Sequence, residues 1–378
     1  MKEIFQLRLE EELLLLTSRV SLTADQEERV KSILNSKEFD MTYLLNLCIR
    51  HKVLPLVGQH LIRLDNFNIN TQYKRLIDYA YLGNKQRNIA LFNELKKLLM
   101  AFKEKNIIII PLKGTVLAPN VYKDIGLRTL SDLDFLIRTD QRDFVSNLLK
   151  SQGYIVGYYD WSSNDVYPTS RKKELMWKMY NGNLYPHMKL LDDPFVRFCK
   201  VDFSYDIDLK RTYHASNKLL DKIENGAIQD VPCSLLNPID MLIHITIHLF
   251  KEASNVHYVH MHKELNLIKF VDLREYTLRI WDNLNPKDLI KRAIELESTE
   301  ALFYCFYYLN LLYKDHFSEI ILNELNLKDT DFLYKYGHKD YDKPKSWQKS
   351  FVDRFFSLSN LDEIEEDAKY IKRKEELM

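Results

Sequence analysis

Apolar residues recur at three- and four-residue steps at both ends of the chain, and at two-residue steps in its middle third. The segment NKQRNIALFNELKKLLMAFKEKN, residues 84–106, shows the first pattern most clearly. Its apolar stripe, set between lysines and glutamates, consists of Ile89, Phe92, Leu95, Leu99 and Phe102. Such a stripe is typical of an amphipathic helix. We therefore predict helices throughout residues 1–105, with Pro55 and Gly58 marking a break between two of them.

The pattern changes from helical to mixed in the middle third. Short apolar or alternating runs predict four strands, at NIIIIPL (106–112), LSDLDFLIR (130–138), GYIVGYY (153–159) and KVDFSYDIDL (200–209). A helix-compatible stretch, residues 114–122, lies between the first two strands. Another helix follows the second strand, with Asp140 as its N-cap and Gly153 after its end. Residues 160–197 mix polar and aromatic side chains and show no clear period.

The chain becomes helical again after residue 236. Asn237 and Pro238 fit an N-cap followed by proline at the first helical position. Apolar runs at helical spacing then continue as far as a charged tail. The pattern as a whole predicts an α+β protein. A helical region covers residues 1–105, an α/β core covers residues 106–235, and a helical domain covers residues 236–378.

Composition narrows the class of protein. The 378 residues carry 54 basic and 54 acidic side chains, so the net charge of zero gives no sign of bulk nucleic-acid or membrane binding. The four cysteines lie far apart without a CxxC pair, as is typical of buried thiols in a reducing cytoplasm. The beginning, MKEIFQLRLEEELLLL, indicates an amphipathic helix rather than a signal peptide. The longest apolar run, MLIHITIHLF, is too short to span a bilayer. We therefore expect a cytoplasmic protein without a membrane partner.

Carboxylates interrupt two of the predicted strands. Residues two apart in a strand point to the same face, so Asp132 and Asp134 project together while their apolar neighbours face the core. Paired carboxylates repel each other unless a cation lies between them, and Mg²⁺ prefers such oxygen ligands. The strand KVDFSYDIDL places further polar groups on one face, at Asp202, Ser204, Asp206 and Asp208. Two strands of this kind in one α/β unit indicate a two-metal site.

The turn before the first pair of carboxylates predicts a phosphate site. Gly114 lies where a strand passes into a helix, so the backbone can approach a ligand closely and the N–H groups at the helix start attract anions. Lys113 adds a positive charge and Thr115 a hydroxyl group. Arg128, four residues before Asp132, is a further candidate for gripping phosphates.

These residues together resemble a known family. The chain has a KG turn after an apolar strand, a short helix, and then GLRTLSDLDFL. QGY, VDF and LLNPIDMLIHITIHLFKEA follow in order. This combination resembles the uncharacterised nucleotidyltransferase family within the DNA polymerase β-like superfamily, over roughly residues 40–275. The resemblance implies a small mixed sheet with a polymerase β-like nucleotidyltransferase core, flanked by helical N-terminal and C-terminal regions.

The resemblance also implies roles for individual residues. Asp132 and Asp134 match the metal-binding pair, and Asp202 matches the third carboxylate, which is a general base or a ligand of the second metal. Gly114 and Thr115 match the Gly-Ser that holds the triphosphate. The implied nucleotide site is completed by Lys113, Arg128 and Ser131. The implied cofactors are Mg²⁺, as two ions, and an NTP co-substrate such as ATP.

The sequence departs from the family pattern in two respects. Sixteen residues separate Thr115 from Asp132, which makes the intervening loop longer than usual. Ser204 and Tyr205 stand after VDF, where the family often has histidine and tryptophan. Asp208 consequently remains a rival to Asp202 as the third carboxylate.

Several histidines offer other chemistry. His244 and His248 lie one helical turn apart but lack the glutamate base of a zinc protease between them. The resembling family has a histidine where His248 stands, so a role facing the active site is an alternative to a buried core histidine. A transition-metal cluster formed by the histidines of NVHYVHMHKE, residues 255–264, is a weaker hypothesis than a polar loop.

The resemblance favours an enzyme that transfers NMP from an NTP to a hydroxyl-bearing acceptor and releases pyrophosphate. We expect a small molecule, or a peptide or protein, as the acceptor. The segment RKKELMWKMYNGNLYPHMKL, residues 171–190, is interpreted as a lid on the acceptor side. One alternative is a toxin-like nucleotidyltransferase that acts on tRNA, which the zero net charge disfavours. The other is a nucleotide-binding protein without catalysis.

Overall fold

The N-terminal third of the chain is helical, as its apolar periodicity predicts. The computed structural model describes residues 6–64, 69–207, 212–260, 263–337 and 343–358. The helices of this third are α1 (Leu9–Thr17), α2 (Ala24–Leu34), α3 (Met41–Arg50), α4 (Leu54–Leu64) and α5 (Thr71–Glu104).

The break between α3 and α4 lies at residues 51–53. The prediction that Pro55 and Gly58 mark it is wrong, because both lie inside α4. Proline is tolerated in a first helical turn, and a Cβ on Gly58 would lie 2.3 Å from Ile77 Cγ2 of α5, so this glycine lets the two helices approach closely.

A mixed six-stranded sheet occupies the middle third. Its strands are β1 (Ile110–Pro111), β2 (Leu133–Leu136), β3 (Ile155–Asp160), β4 (Asp165–Pro168), β5 (His187–Leu190) and β6 (Phe198–Ser204), in the order β1-β2-β6-β5-β3-β4. β2 and β6 are parallel neighbours, and the other pairs are antiparallel. The helices α6 (Gly114–Leu117), α7 (Arg142–Ser151), α8 (Arg171–Tyr180) and α9 (His214–Leu220) connect the strands, with a π-helical turn, Ala118–Tyr122, after α6. The predicted α+β class is confirmed.

Several predicted boundaries in this third are wrong. The first strand shrinks to Ile110 and Pro111 at the sheet edge, where proline's missing N–H is tolerated. Asp140 lies in a 3-10 turn, Thr139–Gln141, so it does not cap α7, which begins at Arg142. Gly153 does end that helix, with φ at +86°. The unassigned segment 160–197 supplies β4, α8 and β5.

The last third is mainly helical and is joined to the core by a hairpin that the sequence pattern did not reveal. The hairpin consists of β7 (Ile223–Ile228) and β8 (Val231–Leu236), and β9 (Lys335–Tyr336) pairs with β10 (Lys345–Ser346) near the end. The helices are α10 (Pro238–Ser254), α11 (Val256–His260), α12 (Leu267–Ile280), α13 (Pro286–Glu295), α14 (Thr299–Tyr313), α15 (His316–Leu325) and α16 (Phe351–Phe356). Asn237 caps α10 through its side chain, which accepts from the Asp240 amide at 3.0 Å, and Pro238 follows it as predicted.

Apolar side chains from all three thirds form one continuous core, which extends from Leu13 of α1 to Phe356 of α16. All four cysteine thiols are free. Over the part of the chain that the structure describes, no helix combines the length and the apolar character that crossing a membrane requires.

Candidate active site

Asp134 and Asp202 lie side by side on neighbouring parallel strands. The register of β2 and β6 pairs Asp134 with Asp202 directly, and Asp132 lies immediately before β2 on the same face. The intervening residues Leu133, Phe135, Val201 and Phe203 are fully buried on the opposite face. Alternation along two adjacent strands therefore turns three carboxylates to one side of the sheet, as the sequence predicts for Asp132, Asp134 and Asp202.

Two lysines neutralise the first pair of aspartates. Lys113 Nζ donates to Asp134 Oδ1 at 2.9 Å, and Lys200 Nζ donates to Asp132 Oδ2 at 3.0 Å. Ser131 Oγ also donates to Asp132 Oδ1 at 2.9 Å. Lys200 was not predicted. Its position two residues before Asp202 on an alternating strand was the available signal, since it places both side chains on one face.

The two aspartates differ in their electrostatic environment. Burial raises the pKa of Asp134 to about 7; the negative charges of Asp132 and Asp202 act in the same direction, and Lys113 opposes them. Burial acts on Asp132 too, but Lys200, Lys113 and the Ser131 hydroxyl hold the pKa of that carboxyl below its usual range. The site therefore holds more negative charge than its own lysines fully compensate.

Asp202 is fixed by an amide from the segment after α8. Asn183 Nδ2 lies 2.8 Å from Asp202 Oδ1 and 3.1 Å from Oδ2. The Trp177 indole N–H of α8 donates to the Asn183 carbonyl at 3.2 Å, which connects the predicted lid segment to the third carboxylate. Trp177 also packs against Tyr185, with ring centroids 5.1 Å apart. These contacts hold the segment against the carboxylate face.

The prediction that one strand face extends from Asp202 to Asp208 is wrong. β6 ends at Ser204, because the following residues turn back to Gly182, whose carbonyl accepts from the amides of Tyr205 and Asp206 at 2.9 Å. The Asp206 side chain is buried beyond the end of the strand. Asp208, the rival third carboxylate, lies outside the described residues.

Replacing Asn183 by alanine is expected to lower the turnover rate by about tenfold, because Asp202 loses the hydrogen bonds that fix its orientation. Measurement of pyrophosphate release at saturating nucleotide tests this. Asn147→Ala, on the exposed face of α7, is the matched control. An unchanged rate in Asn183→Ala would show that Asp202 does not depend on this amide.

The Lys113-Gly114 turn packs directly beside the carboxylates. Lys113 adopts a positive φ of 50°, and α6 begins at Gly114. A Cβ on Gly114 would lie 1.9 Å from Arg128 Nη1, so only glycine fits between Arg128 and the helix start. Thr115 is buried, and its hydroxyl has no hydrogen-bond partner among the described residues. Thr115 lies inside the fold and does not line the cavity described below. The resemblance implies instead that Thr115 contacts the triphosphate.

Arg128 is engaged by a buried partner. Its Nε and Nη2 atoms donate to Asp272 of α12 at 2.8 and 2.6 Å, and Nη1 donates to the Thr129 carbonyl at 3.1 Å. Tyr122 donates its hydroxyl to the same aspartate at 2.8 Å. The structure thus places Arg128 beside Gly114 as a bridge from the sheet to α12, with its guanidinium group also on the wall of the cavity described below. Its role in gripping phosphates stays a prediction.

A cavity of about 620 Å³ opens in front of the carboxylates. Its walls come from α3 to α5, from the Lys113–Gly114 turn and residues 128–134, and from α10 and α12. Five charged lining residues were not predicted as site residues: Lys52, Arg87, Glu252, Lys269 and Asp272. No local signal marks them in the sequence, since each is an ordinary polar position on a helix or at its end.

α10 contributes a histidine and a glutamate to the cavity wall. His248 Nε2 lies 3.6 Å from Glu252 Oε1, and Lys269 of α12 contacts the other oxygen of Glu252. Burial lowers the pKa of His248 well below its usual value, and the charge of Glu252 acts in the opposite direction. His244 lies one turn away and is buried; it does not line the cavity. His248 therefore faces the cavity, which is one of the two alternatives that the sequence left open, while His244 is a core residue.

Glu252 makes a pH-dependent contribution to stability. Burial favours its neutral form, but His248, Lys269 and Lys113 together hold its pKa at about 2, below the usual value of 4.5. Since the folded pKa is depressed, the stabilisation is complete above about pH 4.5 and is lost as the pH falls through 2. Glu252→Gln is expected to lower the free energy of unfolding by about 3 kcal/mol at pH 7.

The difference in stability between wild type and Glu252→Gln is expected to shrink as the pH is lowered from 4.5 towards 2. Urea unfolding across this range measures it, with Glu38→Gln at an exposed position as the control. A difference that stays constant with pH would contradict this assignment of the ion pair.

The donor set near β2 and β6 suits a hard cation, because it consists of carboxylate oxygens. Within the described ranges, no cluster of three or more His, Cys, Asp or Glu side chains is arranged as a ready-made metal site. The ammonium groups of Lys113 and Lys200 instead hold Asp134 and Asp132. The residues therefore fit Mg²⁺ by chemistry and position, with the lysines as local counter-ions. The histidine cluster of residues 255–264 is not described: His262 and the side chains of His257 and His260 lie outside the described part of the chain.

One known protein family matches the part of the chain that contains all of these site residues. A family model described as "Uncharacterised nucleotidyltransferase" matches residues 37–314. The match extends from just before α3 to the end of α14, so it includes the three carboxylates and every wall of the cavity. No curated protein matches the chain.

Proposed function

The chain belongs to the uncharacterised nucleotidyltransferase family, and we propose that it transfers an NMP group from an NTP, with ATP as the first candidate, to a hydroxyl-bearing acceptor. The observation that carries this proposal is the direct pairing of Asp134 with Asp202 on parallel strands, with Asp132 beside them and the Lys113-Gly114 turn adjacent. The family match supports transfer of a nucleotidyl group in general. The geometry of these carboxylates supports the finer assignment.

Asp132, Asp134 and Asp202 would hold the divalent ions, which we propose to be two Mg²⁺. Bound divalent ions would withdraw charge from the phosphate oxygens during the transfer. The excess of negative charge around Asp134, described above, supports a cationic ligand at this position.

The chain's own residues supply the rest of the proposed reaction. Lys113, with the backbone at Gly114 and the hydroxyl of Ser131, would hold the phosphates of the NTP. Asp202, oriented by Asn183, would accept the proton of the acceptor hydroxyl. The acceptor oxygen then bonds to the α-phosphorus, the bond from that phosphorus to the bridging oxygen breaks, and pyrophosphate leaves. Arg128 would act by holding Gly114 in place through Asp272.

We propose a small molecule or a peptide as the acceptor. An aromatic cluster lies on the carboxylate face of the sheet, since Phe198, Lys200 and Asp202 alternate along β6. Tyr159 lies 4.3 Å from Phe198 between ring centroids, and Trp161, which is 73% exposed, packs on both. Acidic side chains lie close to these aromatics along the chain, at the facing ends of β3 and β4 (Asp160 and Asp165) and in the loop before β6 (Asp192 and Asp193). Carboxylates at this edge disfavour a polyanion such as tRNA and favour a neutral or cationic acceptor.

Incubation of the protein with each of the four NTPs, Mg²⁺ and separate pools of metabolites, peptides and tRNA tests the proposal. We expect pyrophosphate release that depends on the metabolite or peptide pool, with a product heavier by one NMP in mass spectrometry. Release that depends on tRNA alone would establish the rival acceptor. NTP binding without pyrophosphate release in any pool would support the non-catalytic alternative.

A further inference from the structure

Two cations on the cavity wall form no ion pair with the residues that the structure describes. The other cations that line the cavity are each paired, Lys113 with Asp134, Arg128 with Asp272 and Lys269 with Glu252. The side chains of Lys52 and Arg87 line the same cavity, and neither forms a hydrogen bond or ion pair with any residue in the described part of the chain. The cavity therefore presents two cations that no carboxylate of the described residues contacts directly.

Arg87 is half-buried and Lys52 is exposed, and both side chains line the cavity near the carboxylates. Burial lowers the pKa of Arg87, with Asp132 acting in the opposite direction. Burial and Lys269 lower the pKa of Lys52, and Glu252 and Asp132 oppose them. The half-buried guanidinium of Arg87, which has no directly bonded carboxylate among the described residues, carries a desolvation cost that an anionic ligand would offset, and the exposed ammonium of Lys52 is free to follow that ligand.

The backbone around Lys52 is held firmly in position. Lys52 has a positive φ of 59°, an uncommon conformation for a lysine. Its carbonyl accepts from Thr129 Oγ1 at 3.2 Å, and the carbonyl of the preceding His51 accepts from the Ile268 amide at 3.2 Å. The side chain of His51 also accepts from the Leu267 amide at 3.1 Å. Contacts to the loop before Asp132 and to α12 thus fix the place from which Lys52 enters the cavity.

Arg87 is positioned by the helix that carries it. On either side of it along α5, Asn84 and Asn88 donate side-chain hydrogen bonds to the loop before Asp132. Asn84 Nδ2 reaches the Gly126 carbonyl at 2.7 Å, and Asn88 Nδ2 reaches the Arg128 carbonyl at 2.8 Å. These hydrogen bonds hold α5 against the loop before Asp132. The backbone positions of Lys52 and Arg87 beside this loop are therefore fixed.

We infer that Lys52 and Arg87 bind the triphosphate group of the nucleotide, as a subsite that the N-terminal helices contribute opposite the Lys113-Gly114 turn. This inference rests on the proposed function for the identity of the nucleotide. Two cations match the charge of a polyphosphate, and the guanidinium group of Arg87 suits the geometry of phosphate oxygens. The subsite also gives the N-terminal helices a direct part in the reaction, in line with a family match that begins at residue 37.

Calorimetric titration of inorganic triphosphate, of an NTP and of the matching NMP, with Mg²⁺ present, tests the inference. Arg87→Met and Lys52→Met are each expected to weaken binding of triphosphate and of the NTP by about 10- to 100-fold, the loss of one charge-assisted hydrogen bond. Binding of the NMP is expected to change by less than about threefold, since it lacks the triphosphate group. Arg75→Met on α5 and Lys37→Met, both at exposed positions, are the matched controls. Triphosphate affinity in Arg87→Met and Lys52→Met equal to that of the controls would overturn the inference.

The variant Lys52→Gly and the NTP turnover of the wild type separate the possible outcomes of this titration. Lys52→Gly removes the same charge at a positive φ that glycine adopts freely, so it is expected to show the same loss if Lys52→Met folds poorly. If the variants bind triphosphate normally while the wild type transfers NMP, the inference alone fails. If the wild type binds triphosphate through these two residues and turns over no NTP, the proposed function alone fails.

Discussion

Asp132→Asn is expected to lower the rate of NMP transfer by about a thousand-fold or more. Asparagine keeps the shape of the side chain but removes the charge that would hold a divalent ion. Such an ion contributes several kcal/mol to the transition state, and about 4 kcal/mol corresponds to a thousand-fold in rate. Asp202→Asn is expected to show a loss of similar size, because the two carboxylates serve one centre.

The measurement is pyrophosphate release at saturating NTP and Mg²⁺, with thermal unfolding of each variant recorded in parallel. Asp230→Asn, in the exposed turn between β7 and β8, is the matched control and is expected to keep full activity. If Asp132→Asn retained more than about a tenth of the wild-type rate, the metal assignment would be wrong.

Arg128→Met is expected to destabilise the protein by about 3–5 kcal/mol, because it leaves Asp272 buried without its cation. The side chains of this ion pair are only 11% and 8% exposed, so water cannot replace the lost partner. Urea unfolding measures the change in the free energy of unfolding.

The double variant Arg128→Met, Asp272→Leu separates the ion pair from packing. Removing both charges is expected to recover at least half of the lost stability, since no buried charge remains unpaired. Arg138→Met, whose ion pair with Asp221 is largely exposed, is the control and is expected to change stability by less than about 1 kcal/mol. Arg128→Met as stable as this control would show that Arg128 is free to grip a ligand.

Alternation along strands made the carboxylates predictable. The run LSDLDFLIR has apolar residues at every second position, so burial of Leu133 and Phe135 forces Asp132 and Asp134 to the other face. The same rule placed Asp202 on one face of KVDFSYDIDL with three other polar residues, and the family resemblance selected Asp202 among them. It failed beyond Ser204, because a tertiary contact with Gly182 ends the strand there and periodicity carries no information about such a contact.

The rest of the site depends on contacts between distant parts of the chain. Lys52, Arg87 and Glu252 face the carboxylates only because α3, α5 and α10 pack around the sheet. Each is one of many charged residues on helices with similar patterns, so no local feature distinguishes it. The pairing of Arg128 with Asp272 links residues 144 positions apart, which likewise requires the tertiary fold.

Labelled phosphates of the NTP show directly whether this site transfers a nucleotidyl group. Parallel reactions with NTP labelled at the α-phosphorus or at the γ-phosphorus, each with Mg²⁺ and an acceptor pool, show which group moves. We expect the α-label to enter the product and the γ-label to appear only in pyrophosphate, with both events lost in Asp132→Asn and kept in Asp230→Asn. Appearance of the γ-label in the product, or α-label transfer that survives in Asp132→Asn, would contradict nucleotidyl transfer at this site.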